Sequence, residues 1–95
     1  MIYTVRNLQE GSRPGTNWID YWEDATGQPA GKCHRIDCLD DHPDATDGAH
    51  VQLNDPNDRR WFIVPLCHKC NCQHGEVFNV EGPLVSAVDP TVILW

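Results

Sequence analysis

Basic residues and long apolar runs are both scarce in this sequence. It contains 7 Lys and Arg against 14 Asp and Glu, which gives a formal net charge of −7 with neutral histidines. This balance argues against a general nucleic-acid coat protein, because such a protein would be basic. No apolar stretch approaches the roughly 18 residues of a membrane span, so we expect no membrane association.

The chain also has little material for a large core. Its 95 residues fit one domain, and the presence of 7 Gly and 7 Pro predicts that much of the chain forms turns. A domain of this size usually needs disulfides or a bound metal in addition to its core. We therefore predict a single domain over residues 1–95 that is stabilised in one of these two ways.

Cysteine usage favours the metal. The sequence has five cysteines, and an odd number fits a closed disulfide framework poorly. Residues 1–5 lead into Arg6 and polar residues rather than into the apolar segment of a signal peptide. We therefore expect a reducing, cytoplasmic location, where clustered cysteines bind metal more often than they form disulfides.

Two cysteine pairs form the candidate metal site. Cys67 and Cys70 have the spacing of a zinc knuckle, and Cys33 and Cys38 form a second, wider arm. Together they offer four thiolates, the complete tetrahedral ligand set of a structural Zn²⁺. The 28 residues between the arms are enough for a β-hairpin. Buried free thiols, or a disulfide under oxidising conditions, are the alternative interpretations.

Cys72 is left outside this set. With His68 and His74 it forms a dense run of metal-binding residue types, any of which can replace one thiolate ligand. A spare thiol is the interpretation that we favour, because Cys72 lies only two positions beyond Cys70.

Local patterns predict one helix and several strands. Residues 17–26 are predicted as a helix that Asn17 caps and Gly27 ends. Trp18 and Trp22 lie on one face of it, either as core or as an exposed platform for a partner. A hairpin is predicted from strands 49–53 and 61–64. The other predicted segments are an irregular strand and loop in 1–15 with a turn at 11–15, strands at 76–80 and 84–88 around a Gly82-Pro83 turn, and an apolar piece at 92–95.

Acidic residues are concentrated in the middle of the chain. Seven of them lie between Asp37 and Asp58 without an intervening Lys or Arg. Four thiolates and one Zn²⁺ would add −2 to the net charge of −7, giving −9. The stretch is either a solvated loop face or an acidic, DNA-imitating surface for a basic partner.

Two motifs, Gly48-Ala49-His50-Val51 and Ile63-Val64-Pro65-Leu66-Cys67-His68-Lys69-Cys70-Asn71, resemble the zinc-containing HNH (His-Me finger) family. In that family a cysteine pair precedes a His-bearing strand, and a second pair opens the following helix. The resemblance covers roughly residues 33–75, and the layout is similar to small HNH-like bacterial and phage proteins. It implies an α+β fold, namely a small zinc-stabilised ββα-metal (HNH or treble-clef-like) domain with extra C-terminal β-strands.

For active members of the family, the resemblance implies a metal-dependent endonuclease. His50 takes the position of the general base, and Asn71 that of a residue binding catalytic Mg²⁺ or Mn²⁺. The Asp that often precedes the base is replaced by Ala49, and the position of the orienting Asn falls near Phe62. The nearby residues with an oxygen that such an ion can use are Asn71, Asp47 and Glu76.

Three functions are consistent with these observations. The first is a zinc-binding, non-catalytic interaction module on an HNH-type scaffold, with a protein partner. The second is a Mg²⁺- or Mn²⁺-dependent HNH endonuclease that uses His50 as general base. The third is a phage-type acidic inhibitor of a nucleic-acid-binding protein. The net charge disfavours direct nucleic-acid binding, and we prefer the first because Ala49 and Phe62 remove parts of the nuclease motif.

Overall fold

The computed structural model describes residues 1–8 and 17–95. The elements in chain order are β1 (Ile2–Asn7), α1 (Trp18–Thr26), β2 (Asp47–Leu53), β3 (Phe62–Leu66), α2 (His68–Asn71), β4 (Val77–Glu81), β5 (Leu84–Ser86) and β6 (Ile93–Leu94). The predicted α+β class is therefore confirmed, whereas the turn predicted at 11–15 lies outside the described residues. Within those residues, neither helix has the length and apolar content that crossing a membrane requires.

All six strands belong to one antiparallel sheet with the order β4-β1-β2-β3-β5-β6. β2 and β3 form the predicted hairpin, in which His50 lies opposite Ile63. β4 and β5 are consecutive in the chain but do not pair with each other, because β4 pairs with β1 and β5 with β3. The predicted turn at Gly82 and Pro83 therefore carries the chain between two separated strands.

This connection requires the sheet to curl. Three strands lie between β4 and β5 in the sheet order, so the two would be about 19 Å apart in a flat sheet with strands about 4.8 Å apart. The connection from Glu81 to Leu84 can span at most about 11 Å. The sheet therefore bends around one of its faces, which becomes the main core.

We call the inner surface the cysteine face. Alternate residues of β2 and β3 point into it, including Ala49, Val51 and Val64. The buried side chains that pack there come from five strands and three cysteines: Val5, Ala49, Val51, Phe62, Val64, Leu66, Phe78, Val80, Leu84, Cys33, Cys67 and Cys70. The cysteines are thus part of the main hydrophobic core.

The opposite surface, the helix face, carries α1. Asn17 caps this helix through hydrogen bonds from the backbone N–H groups of Ile19 and Asp20, and Gly27 ends it with a φ of 70°. Trp22 is buried in one cluster with Ile63 and Val85, which confirms a core role for this aromatic residue.

Gly48 sets how closely the helix approaches the sheet. A Cβ atom at this position would lie 2.7 Å from the backbone carbonyl carbon of Trp18. Only a glycine allows α1 to pack this closely against β2.

Candidate metal centre

The structure brings Cys33, Cys38, Cys67 and Cys70 together as one cluster. All four sulfur atoms lie within 4.8 Å of one another. The Sγ atom of Cys38 is 3.8 Å from that of Cys67 and 3.7 Å from that of Cys70. A tetrahedral zinc site with Zn–S bonds of about 2.3 Å has sulfur–sulfur edges of about 3.8 Å. The cluster therefore has the dimensions to coordinate a zinc ion, as the spacing predicts.

The second arm of the cluster is positioned by a strand and a short helix. β3 ends at Leu66, and Cys67 stands at the N-terminus of α2 in an extended conformation. One turn of α2 then returns Cys70 to the core, where it is fully buried. The Cys-x2-Cys spacing thus places both sulfur atoms on the same side of the helix.

The first arm is positioned by a loop that depends on distant backbone partners. The N–H groups of Cys33 and His34 donate to the carbonyls of Pro43 and Pro65. The loop also donates hydrogen bonds to sulfur, from Leu39 N–H to Cys70 and from Asp40 N–H to Cys38, both at 3.4 Å. Such N–H donors orient thiolates and stabilise their negative charge.

Two histidines that the motifs do not single out hold this loop in place. His34 has one ring nitrogen 2.8 Å from the carbonyl oxygen of Glu81 and the other 2.8 Å from that of Ala30. The Nε2 atom of His42 lies 2.9 Å from the carbonyl oxygen of Arg35. The only sequence signal for this role is that His34 and His42 lie close to the cysteines in the chain, because the tertiary fold determines which carbonyl groups their rings contact.

Ionisation of all four thiols in this cluster is unfavourable unless a cation is bound. Burial raises the pKa of the Cys33 thiol far above its ordinary value and also raises that of Cys70. For Cys38, burial likewise acts to raise the pKa. Hydrogen bonds from the backbone N–H groups of Asp40 and His42, together with those from the Cys33 and Cys70 thiols, outweigh it and lower the pKa to about 7. A bound divalent cation would supply the positive charge that the buried sulfurs lack.

The two residues assigned to the nuclease motif are not brought together. His50 is buried on the helix face, where its ring centroid lies 4.7 Å from that of Trp18 and 6.0 Å from that of Trp61. Asn71 lies on the other side of the sheet. Its side chain donates a hydrogen bond to Asp47, and its backbone carbonyl accepts one from Asn7. Asn7 pairs with Val51, which belongs to the cysteine face.

The residues that lie near Asn71 are Asp47, His68 and Cys72. The Oδ2 atom of Asp47 is 3.0 Å from Asn71 Nδ2 and 2.8 Å from His68 Nδ1. Cys72 is exposed and its Sγ atom lies 3.3 Å from His68 Nε2, outside the four-cysteine cluster. His74 is also exposed and its Nδ1 atom is 3.3 Å from the carbonyl oxygen of Leu8. Neither histidine belongs to the four-cysteine cluster.

Comparison of this chain with protein-family models, with curated proteins and with solved structures found no match.

Proposed function

We propose that this protein is a non-catalytic interaction module whose fold is held by a structural Zn²⁺ and which binds another protein. The observation that carries the proposal is the cluster of Cys33, Cys38, Cys67 and Cys70, with sulfur–sulfur distances of 3.7 and 3.8 Å at Cys38. The cluster is part of the main core, and its four cysteines would complete the coordination of the ion. A site with no open coordination position is typical of structural rather than catalytic zinc.

The surroundings of His50 and Asn71 support a module without nuclease activity. A general base has to reach the water that it activates, and the catalytic metal has to bind beside it. Here the imidazole is packed between Trp18 and Trp61 on one side of the sheet, and Asn71 lies on the other. Ala49 and Phe62, at the two altered motif positions, are buried core residues.

The loop of the first metal arm offers a surface for a partner. Ile36 and Leu39 are 44% and 43% exposed, although both are large and apolar. Exposed acidic side chains, including Asp37, Asp40 and Asp41, surround them in sequence. A partner that combines basic and apolar side chains would complement this loop, and bound zinc would hold the loop in shape.

The partner surface can be tested by substitution. The variant Ile36→Ser with Leu39→Ser should lose binding to partners captured by the zinc-loaded protein, and it should retain its zinc and its thermal transition. Val88→Ser is the matched control, because Val88 is 85% exposed and lies outside the loop. Equal loss in both variants, or no loss in the loop variant, would contradict the proposed surface.

The HNH resemblance leaves two alternatives that the same preparations address. An endonuclease would nick plasmid DNA with Mg²⁺ or Mn²⁺ and lose this activity in His50→Ala, whereas we expect no nicking that depends on His50. An acidic inhibitor of a nucleic-acid-binding protein would release its partner at high salt, because exposed charges are then screened. Binding through Ile36 and Leu39 should weaken at high salt but not be abolished, because its apolar contacts are not screened.

A further inference from the structure

A second group of metal-binding atoms lies outside the four-cysteine cluster. The Sγ atom of Cys72 and the Nε2 atom of His68 are 3.3 Å apart on the surface of the protein. These residues are four positions apart, at the start of α2 and immediately after its end. Side chains with this spacing on a helical turn lie next to each other.

We propose that His68 Nε2 and Cys72 Sγ form a second, exchangeable Zn²⁺ site, in which Asp47 orients the imidazole. This site is separate from the four-cysteine cluster and does not depend on the function proposed for it. It would have two protein ligands, with water or a ligand from solution at the remaining positions.

The distance between the two donor atoms fits a shared ion. With Zn–S bonds of about 2.3 Å and Zn–N bonds of about 2.0 Å, a tetrahedral angle places sulfur and nitrogen about 3.5 Å apart. In the structure the two atoms are joined by a hydrogen bond of 3.3 Å, so an ion that replaces the shared proton requires them to move apart by only a few tenths of an ångström. A thiolate and an imidazole are also the ligand types that zinc binds most often in proteins.

The other ring nitrogen of His68 has the partner that a metal-binding histidine requires. Its Nδ1 atom lies 2.8 Å from Asp47 Oδ2, and that oxygen also accepts a hydrogen bond from Asn71 Nδ2. Histidines that bind metals usually donate their second N–H to a carboxylate, which fixes the ring and makes the free nitrogen a better donor. The Asp47–His68 contact therefore directs Nε2, rather than Nδ1, towards Cys72 and the ion.

Exposure accounts for the exchangeable character of the site. The side chain of His68 is 77% exposed and Cys72 is also exposed, so water reaches the ion directly. Two protein ligands also hold an ion less firmly than the four thiolates of the buried cluster. We therefore expect the second zinc to bind more weakly than the first and to be removed by a chelator before it.

Zinc titration of the full chain tests the proposal. Protein that holds one equivalent of Zn²⁺ is titrated with further Zn²⁺ in competition with a chromogenic chelator, and Co²⁺ in place of Zn²⁺ reports thiolate coordination in its absorption spectrum. We expect a second equivalent that is lost in Cys72→Ser and in His68→Ala. His74→Ala is the matched control and should keep it, because His74 is exposed on the same segment but lies beside the Leu8 carbonyl.

A third substitution tests the role of Asp47. Asp47→Asn removes the carboxylate while preserving the shape of the side chain, and loss of such a partner typically weakens metal binding by about 10- to 100-fold. All variants should retain the first equivalent of zinc. Absence of a second equivalent, or a second equivalent unchanged in Cys72→Ser, would overturn the proposal. Cys70→Ser is not used as a control for this site, because Cys70 lies between His68 and Cys72 and its loss is expected to unfold the chain and remove both equivalents. The variants that decide the proposal are those that keep the first equivalent, and whether that equivalent binds tests the four-cysteine cluster by itself.

Discussion

The two faces of the sheet are packed by different chemistry. On the helix face, α1 is held by neutral aromatic packing through Trp22 and by a capped N-terminus at Asn17. On the cysteine face, the apolar core includes thiols such as Cys33 and Cys70, and burial opposes their ionisation. Packing on the helix face therefore involves no charge that requires a cation, whereas the cysteine face needs a cation before its four sulfur atoms can all be ionised. Because both faces belong to one sheet, loss of the metal should affect both.

Metal removal should have the largest effect on this difference. A structural zinc can contribute on the order of 10 kcal/mol, which is comparable to the whole stability of a small domain. Chelation, or the substitution Cys70→Ser, should therefore abolish the cooperative thermal transition followed by circular dichroism. Cys72→Ser should preserve this transition, because Cys72 is exposed and outside the cluster. An unchanged transition in the metal-free protein would refute a structural role for zinc.

The corresponding change on the helix face is Trp22→Ala. Trp22 is 1% exposed and its Nε1–H donates to the carbonyl of Pro83 at 3.0 Å. Removing a buried tryptophan typically costs about 3–5 kcal/mol, so urea denaturation should show a loss of this size with zinc still bound. Trp95→Ala serves as control, since Trp95 is 58% exposed and should change stability by less than about 0.5 kcal/mol. Trp22 also packs against His34, with ring centroids 5.3 Å apart, so loss of zinc in Trp22→Ala would show that this contact is needed to hold the loop of the first metal arm.

Gly48→Ala probes the contact between β2 and α1. The added methyl group would lie 2.7 Å from the backbone carbonyl carbon of Trp18, so the helix has to move outwards. Overpacking of this kind costs about 1–3 kcal/mol in the free energy of unfolding, measured with urea. The same cost should appear in a Trp18→Ala background, because the backbone of residue 18 remains. Equal stability of Gly48→Ala and the wild type would argue against so close a contact.

The smallest predicted effect concerns the start of α1. Asn17→Ala removes the side-chain oxygen that accepts from the N–H groups of Ile19 and Asp20, at 3.1 and 3.2 Å. Loss of such a cap costs about 1 kcal/mol, which urea denaturation can resolve. Asn17→Ser should restore most of the stability, since serine caps helices through the same type of hydrogen bond. A matching loss in the serine variant would mean that Asn17 acts through some other contact.

Local sequence signals predicted the helix face better than the rest of the fold. Asn17 and Gly27 delimit α1 as their residue types indicate, and the strands of the central hairpin fall close to their predicted positions. The pairing of β1 with β4, and of β3 with β5, has no local signal. It depends on tertiary packing of apolar strands that are similar in composition, and sequence periodicity does not select the partner of each strand.

The candidate site shows the same division. Cysteine spacing was sufficient to predict which four thiols meet, because the ligand geometry of zinc restricts the choices. It gave no indication of His34 and His42, whose ring nitrogens lie beside backbone carbonyls of the folded chain. It also did not predict that Asp47 would contact His68, since 21 positions separate them and the contact forms only when β2 pairs with β3.

The position of β1 between β2 and β4 has a consequence for the order of folding. Ile2 pairs with Glu81, so the first strand cannot complete its pairing until most of the chain has been synthesised. All four cysteines of the cluster have been made by residue 70, and the β2–β3 hairpin lies between the two arms. Contacts between residues near in sequence form faster than distant ones, because less chain entropy is lost. We therefore expect the hairpin and the second metal arm to form first. The pairing of β4 with β1 should follow as a slower step, and it also fixes the loop of the first metal arm, because Glu81 of β4 exchanges hydrogen bonds with His34.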